Sequence, residues 1–147
     1  MTLISINSVY WITPFVAWLV AGILKFLINS FLARQWAFGL IGYGGMPSNH
    51  SAIVSSTATL IALKEGIDHP AFSVALTLAF IVMLDASSLR RQVGRHAQAI
   101  NRLEKERQMP QHHPLRERIG HSRPEIAGGI LVGITVATGM HYCCIVI

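Results

Sequence analysis

Residues 70–89 read PAFSVALTLAFIVMLDASSL, a run that starts at a proline, carries a single ionisable group, Asp85, and leads directly into Arg90-Arg91. A transmembrane helix needs about 20 mostly apolar residues, and arginines at its end anchor it at the membrane interface. A soluble domain could bury one such stretch, but the rest of the chain argues against that. Of the 147 residues, 52% are hydrophobic and 13% charged, with a mean hydropathy of +0.47. A soluble domain carries about 25% charged residues. The bilayer is the solvent this composition fits, and the length supports one domain.

Working outward from residues 70–89, three more apolar stretches come close to spanning length, roughly 9–32, 51–64 and 124–146. The expected fold is an all-α integral membrane bundle of about four transmembrane helices, forming a single domain over residues 1–147. The stretch at 51–64 is short and rich in Ser, Thr and Ala, so it is expected to pack among other helices rather than face lipid all round. The last stretch contains Gly128, Gly129, Gly133 and Gly139, which allow helix backbones to approach closely. Residues 90–123 form a basic loop that reads as a short helix followed by a Pro/His-rich segment. Residues 1–24 carry no basic side chain, so the first stretch reads as a retained helix rather than a secretory signal.

The formal net charge is +5. In a soluble protein such a balance points to nucleic acid, but here nine of the twelve Lys and Arg residues fall between Arg90 and Arg123. A basic loop between apolar segments matches anionic headgroups and the positive-inside rule. The expected partner is therefore the membrane, with no nucleic acid. With four spans, Arg34 and the basic cluster share the cytoplasmic face. The expected location is a cytoplasmic (inner) membrane of bacterial type. Cys143 and Cys144 are adjacent and show no metal spacing. The histidines form no HxxxH pattern, so neither a metal nor a cofactor is expected.

Three polar motifs lie where apolar stretches meet loops, and the four-span topology puts them on one face. Gly44-Gly45-Met46-Pro47-Ser48-Asn49-His50-Ser51 enters the second helix. Glycines before a helix start expose backbone N–H groups at the positive end of the helix dipole, which suits an anion. The plain alternative is a Ser N-cap after a turn. His50 in the first turn could exchange a proton with a bound group. Asp85 lies inside the third helix, where an ionisable group is costly and is usually paired or functional. Arg90 and Arg91 offer forked donors to phosphate, or simply anchor the helix.

The third motif is Gly120-His121-Ser122-Arg123-Pro124-Glu125. His121 and Glu125 are four apart and share a helix face. A carboxylate on one imidazole nitrogen leaves the other available for nucleophilic attack. Ser122-x-x-Glu125 is equally a capping box, and both readings stand at this level. Lys25, late in the first helix, either snorkels to the interface or supplies another cation to the same site.

Gly44 to Ala52, Asp85 with Arg90-Arg91, and Gly120-His121 with Pro124-Glu125 together resemble the divergent branch of the type-2 phosphatidic acid phosphatase family, which is related to acid phosphatases and vanadium-dependent haloperoxidases. The resemblance runs from Lys25 to the glycines of the last helix. It implies metal-independent catalysis through a phosphohistidine. On that reading Ser48 and Asn49 cradle the phosphate, and Lys25 with Arg91 or Arg90 binds its oxygens. His50 protonates the leaving alcohol. His121 attacks phosphorus, with Glu125 in the position where the wider family has Asp.

Some positions depart from the wider pattern. Asn49 replaces a Gly, no Arg-Pro follows Lys25, and Leu115 stands six before His121 where an Arg is usual. Arg90 does precede His96 by six, which makes His96 a rival nucleophile, but Ile100 occupies the orienting position four residues on. The expected activity is hydrolysis of a lipid phosphomonoester of the phosphatidylglycerol phosphate, phosphatidic acid or prenyl phosphate type. Alternatives are a vanadate-dependent haloperoxidase-like enzyme and a non-catalytic protein that binds anionic lipids through residues 90–123. Four helices are few to enclose a lipid site, so a homodimer is an expected assembly.

Overall fold

The computed structural model describes residues 8–34, 45–107, 113–117 and 119–145. These form five helices: α1 (Ser8–Ala33), α2 (Asn49–Glu65), α3 (Pro70–Leu84), α4 (Arg90–Glu106) and α5 (Arg123–Ile145), with a five-residue π turn, Asp85–Leu89, joining α3 to α4. Gly44 of the first motif and His112 of the basic segment lie outside the described residues.

The segments 8–33, 70–106 and 123–143 are long and apolar enough to cross a membrane. The chain is an all-α membrane bundle, as its composition requires. The fourth helix, α2, has 17 residues, or about 26 Å at 1.5 Å per residue, just under a hydrocarbon core of about 30 Å. It forms the centre of the bundle, with α1, α3 and α5 packed around it. Ser51, Ala52, Val54, Ser55, Ser56, Ala58 and Leu60 are all buried. Its hydroxyls are satisfied locally: Ser55 Oγ donates to the Ser51 carbonyl at 2.6 Å and Ser56 Oγ to that of Ile53 at 2.8 Å. Small side chains with internal bonds let neighbouring backbones come close without leaving orphan polar groups.

Gly129 and Gly133, one turn apart on α5, exploit that closeness. A Cβ on Gly129 would collide with the Ser48 carbonyl oxygen, and one on Gly133 with Ser55 Oγ and the Ala52 carbonyl. Gly139 faces open space and takes no part. On the other flank, α1 presents Val9, Thr13, Ala17 and Ala21, spaced four apart, to the core, while Trp11, Phe15 and Trp18 of its outer face are exposed. That exposure suits a lipid-facing surface.

The third span differs from expectation. The expectation is a helix ending near residue 89, followed by a basic segment with its own short helix and a Pro/His-rich loop. Instead the helix passes through the π turn and continues to Glu106, 37 residues in all, or about 55 Å. Its extension α4 is strongly amphipathic rather than apolar. Gly94 and Ala97 are its buried positions, and Leu115, Glu117 and Ile119 lie along that face. Asn101 clamps the returning chain: Nδ2 donates to the Leu115 carbonyl at 2.9 Å and to Glu117 Oε1 at 2.8 Å, and Oδ1 accepts the Leu115 N–H at 2.9 Å. Gly94 permits the approach, since a Cβ there would strike the Glu117 carbonyl.

The two ends of the bundle differ in chemistry. At one end the Tyr10 hydroxyl bonds Glu65, and the Lys64 ammonium lies 4.6 Å from the Tyr10 ring centroid. At the other end, the C-terminal part of α1, the start of α2, the π turn and the start of α5 converge. All three polar motifs meet there.

Candidate active site

The site is assembled from the start of α2. Ser48 is its N-cap, and its Oγ accepts the Ser51 N–H at 3.4 Å and the Ser51 hydroxyl at 3.1 Å. The Ser48 N–H donates to the Glu125 carbonyl at 2.8 Å, which fastens the start of α2 to the start of α5. Ser48 is fully buried and its N–H is engaged, so the expected phosphate cradle does not include that group. Of the four N–H groups that open α2, Ala52 bonds the Ser48 carbonyl and Ser51 the Ser48 side chain. Asn49 and His50 supply the other two, at the positive end of the helix. Among the described residues, the buried atoms Asn49 Oδ1 and His50 Nδ1 have no hydrogen-bond partner. Unpaired buried polar atoms are rare and often mark a ligand or catalytic position.

The returning segment delivers the second histidine. Gly120 has φ +97°, a conformation that suits glycine. A Cβ there would lie 2.9 Å from Arg91 Cγ. This turn lets the His121 N–H reach the Ala86 carbonyl in the π turn at 2.9 Å. The side chain of His121 is buried, with Nδ1 3.3 Å from Glu125 Oε2. The same oxygen accepts the Ser122 N–H at 2.8 Å. The capping box and the histidine–carboxylate pair therefore coexist on a single atom. A carboxylate accepts, so Nδ1 is the donor in this contact, and in the neutral ring Nε2 keeps its lone pair. The rings of His121 and His50 are neighbours, with centroids 6.2 Å apart and planes tilted by 56°. His121 precedes the first residue of α5, and burial pulls its pKa below the ordinary histidine value. The Glu125 hydrogen bond opposes that shift, whereas Lys25 and Arg90 add to it.

Two cations border this pair. Lys25, half-buried on α1, acts on the charge of His50, His121 and Glu125. Arg90 acts on both histidines, and its Nε donates to Asp85 Oδ2 at 2.7 Å. Asp85 thus has a plain structural role: it holds the Arg90 guanidinium, whose charge acts on both imidazoles. Arg91 is exposed, with its stem against Gly120. His96 is exposed on α4, about 9 Å along the axis beyond Arg90. The structure therefore gathers Lys25, Asn49, His50, Asp85, Arg90, His121 and Glu125, and leaves Arg91 and His96 outside. Among the described residues, no group of three His, Cys, Asp or Glu is placed to hold a metal ion.

Three contributors had no signal in the sequence. The Ala86 carbonyl and the Asn101 clamp act across 35 and 14 residues of chain respectively, distances at which no local pattern operates. The positive φ of Gly120 was legible only as a glycine beside a histidine.

No solved structure gives a significant match to the chain. The sequence is 33% identical to one described as "Uncharacterized membrane protein YuiD", from Bacillus subtilis (strain 168), over 83% of this chain and 87% of that one. Residues 6–136 match the family described as Divergent PAP2 family. A histidine–carboxylate pair, an opposing histidine at a helix start and flanking cations, in a chain matched over nearly its whole length, lead to one assignment: this protein belongs to the divergent PAP2 family.

Proposed function

We propose that the protein hydrolyses a lipid phosphomonoester through a phosphohistidine on His121. The observation that carries this reading is the pair of neighbouring imidazoles 6.2 Å apart, one held by Glu125 and the other in the first turn of α2, both under the charge of Lys25 and Arg90. The phosphoryl group would sit between the rings. Its oxygens would meet the Asn49 and His50 N–H groups, Lys25 and Arg90, donors that stabilise developing negative charge. Asp85 is then a positioning residue for Arg90.

In the first step His121 Nε2 forms a bond to phosphorus while the bond from phosphorus to the lipid oxygen breaks. Protonated His50 gives its proton to that oxygen, and the alcohol leaves. In the second step water attacks phosphorus, neutral His50 takes the water proton, and the P–N bond breaks to release phosphate. Both histidines return to their starting states. Glu125 fixes the His121 tautomer throughout.

A lipid substrate is favoured because the site lies at the end of a bundle whose outer faces are apolar, which is headgroup depth. The same end carries Arg90, Arg91, Arg95 and Arg102, so the positive-inside rule supports a cytoplasmic orientation. The deciding experiment is phosphate release from a panel of lipid phosphates by detergent-solubilised protein in EDTA, with His121→Ala alongside. Turnover lost in His121→Ala supports the reading. Turnover that survives removes His121 as nucleophile, and silence over the whole panel favours anionic-lipid binding through the basic segment.

A further inference from the structure

A cleft of about 280 Å³ opens between α3 and α5, bounded by Phe80 to Ser87 on one side and Arg123 to Ile130 on the other. Each wall contributes residues at i, i+3, i+4 and i+7, so two matched helical stripes face each other over about 10 Å of axis. Both helices lean chiefly on α2 rather than on one another, which leaves the gap open to the side. One end is polar, with Ser87 and Arg123, and the other is apolar, with Phe80 and Ile130.

The polar end adjoins the catalytic turn. Ser87 follows Ala86, whose carbonyl holds the His121 N–H at 2.9 Å, and Arg123 lies two residues past His121. A hydrocarbon chain laid in this cleft would bring its head toward the imidazoles, with a cation beside it. A helix surface that merely faces lipid needs no second stripe opposite it. The volume falls at the lower edge of small-molecule cavities, which suits one chain rather than two.

We propose that this cleft receives one hydrocarbon chain of the lipid phosphate, admitted sideways from the bilayer, with Arg123 engaging the anionic headgroup. This rests on the phosphatase reading and adds a chain-binding subsite with Arg123 as a recognition residue. Ala127 lines the cleft and is exposed, so a larger side chain there fills the gap without disturbing the packing on α2.

The test is photolabelling in nanodiscs with a phosphatidic acid that carries a diazirine on its acyl chain, mapped by mass spectrometry. Labels are expected on residues 80–87 and 126–130, competed by excess phosphatidic acid but not by diacylglycerol. Ala127→Phe should cut this labelling, and its kcat/KM for the lipid relative to p-nitrophenyl phosphate should fall about tenfold, the scale of a pocket misfit. Arg123→Gln, on an exposed residue, should weaken the competition by phosphatidic acid and serves as a second probe.

Labelling that diacylglycerol competes equally well, or that spreads evenly onto the outer face of α1, would overturn the cleft as a site. Phosphatase turnover with an unlabelled cleft would remove this proposal alone. Headgroup-dependent labelling without turnover of any substrate would remove the phosphatase reading and leave a lipid-phosphate binding cleft.

Discussion

His121 and Glu125 are joined through one atom: Glu125 Oε2 lies 3.3 Å from His121 Nδ1 and accepts the Ser122 N–H at 2.8 Å. The bond that caps α5 also aims the imidazole. The helix start and the imidazole orientation are thus fixed by the same carboxylate, which cannot move for one without disturbing the other.

Glu125→Gln separates the two roles. An amide oxygen can still accept the Ser122 N–H, so thermal stability in detergent should stay close to that of wild type. The negative charge facing the imidazole is lost, and kcat should fall about 100-fold, the scale of a displaced general-base relay. Glu125→Ala should lose the cap as well, at about 1 kcal/mol. Phosphate release and thermal melts on the three proteins check this.

For His121 to attack phosphorus as proposed it must be neutral, and burial depresses its pKa. A depressed pKa keeps the ring neutral to lower pH. The acid limb of kcat/KM, where activity rises with pH, should therefore lie below the ordinary histidine value of about 6.5. Lys25 and Arg90 push in the same direction. Lys25→Gln should move the limb to higher pH while also weakening substrate binding, and pH–rate profiles of the two proteins would show the shift.

Asn101 touches neither histidine, yet it holds the segment that presents His121. Asn101→Ala leaves the Leu115 N–H and carbonyl without their side-chain partner and should cost about 1 kcal/mol per lost bond. A slackened strap should expose His121, so its modification by diethylpyrocarbonate should speed up as kcat falls. Peptide mapping of the modified protein measures it.

The α5 glycines are not equivalent. Gly133→Leu should destabilise the bundle by about 1–3 kcal/mol through overpacking against α2, whereas Gly139→Ala, in open space, should be neutral or gain a few tenths through helix propensity. Unfolding in mixed detergent micelles ranks the two.

Hydropathy over twenty-residue windows was enough to read the membrane bundle, and the order of the three motifs was enough to read the family. Both depend on short stretches of chain. Ser48 as N-cap and Glu125 as capping residue were legible for the same reason. The end of the third helix was not, because α4 is held by its contacts with Leu115, Glu117 and Ile119, and the hydropathy that marks a span ends at Arg90.

Choosing between Arg90 and Arg91 needed the tertiary structure. Five residues along a regular α-helix would put Asp85 and Arg90 about 140° apart. The π turn, in which the Arg90 N–H bonds the Asp85 carbonyl, widens the helix and brings the two side chains together. Helical phase accumulates from every preceding turn, so a single irregular turn decides which arginine pairs with Asp85. Sequence alone determined that a membrane-embedded chain carries three polar motifs where its apolar stretches meet loops. The π turn, the Gly120 bend and the Asn101 strap determined which of the motifs' residues meet, because they act through backbone geometry and long-range contact rather than through residue type.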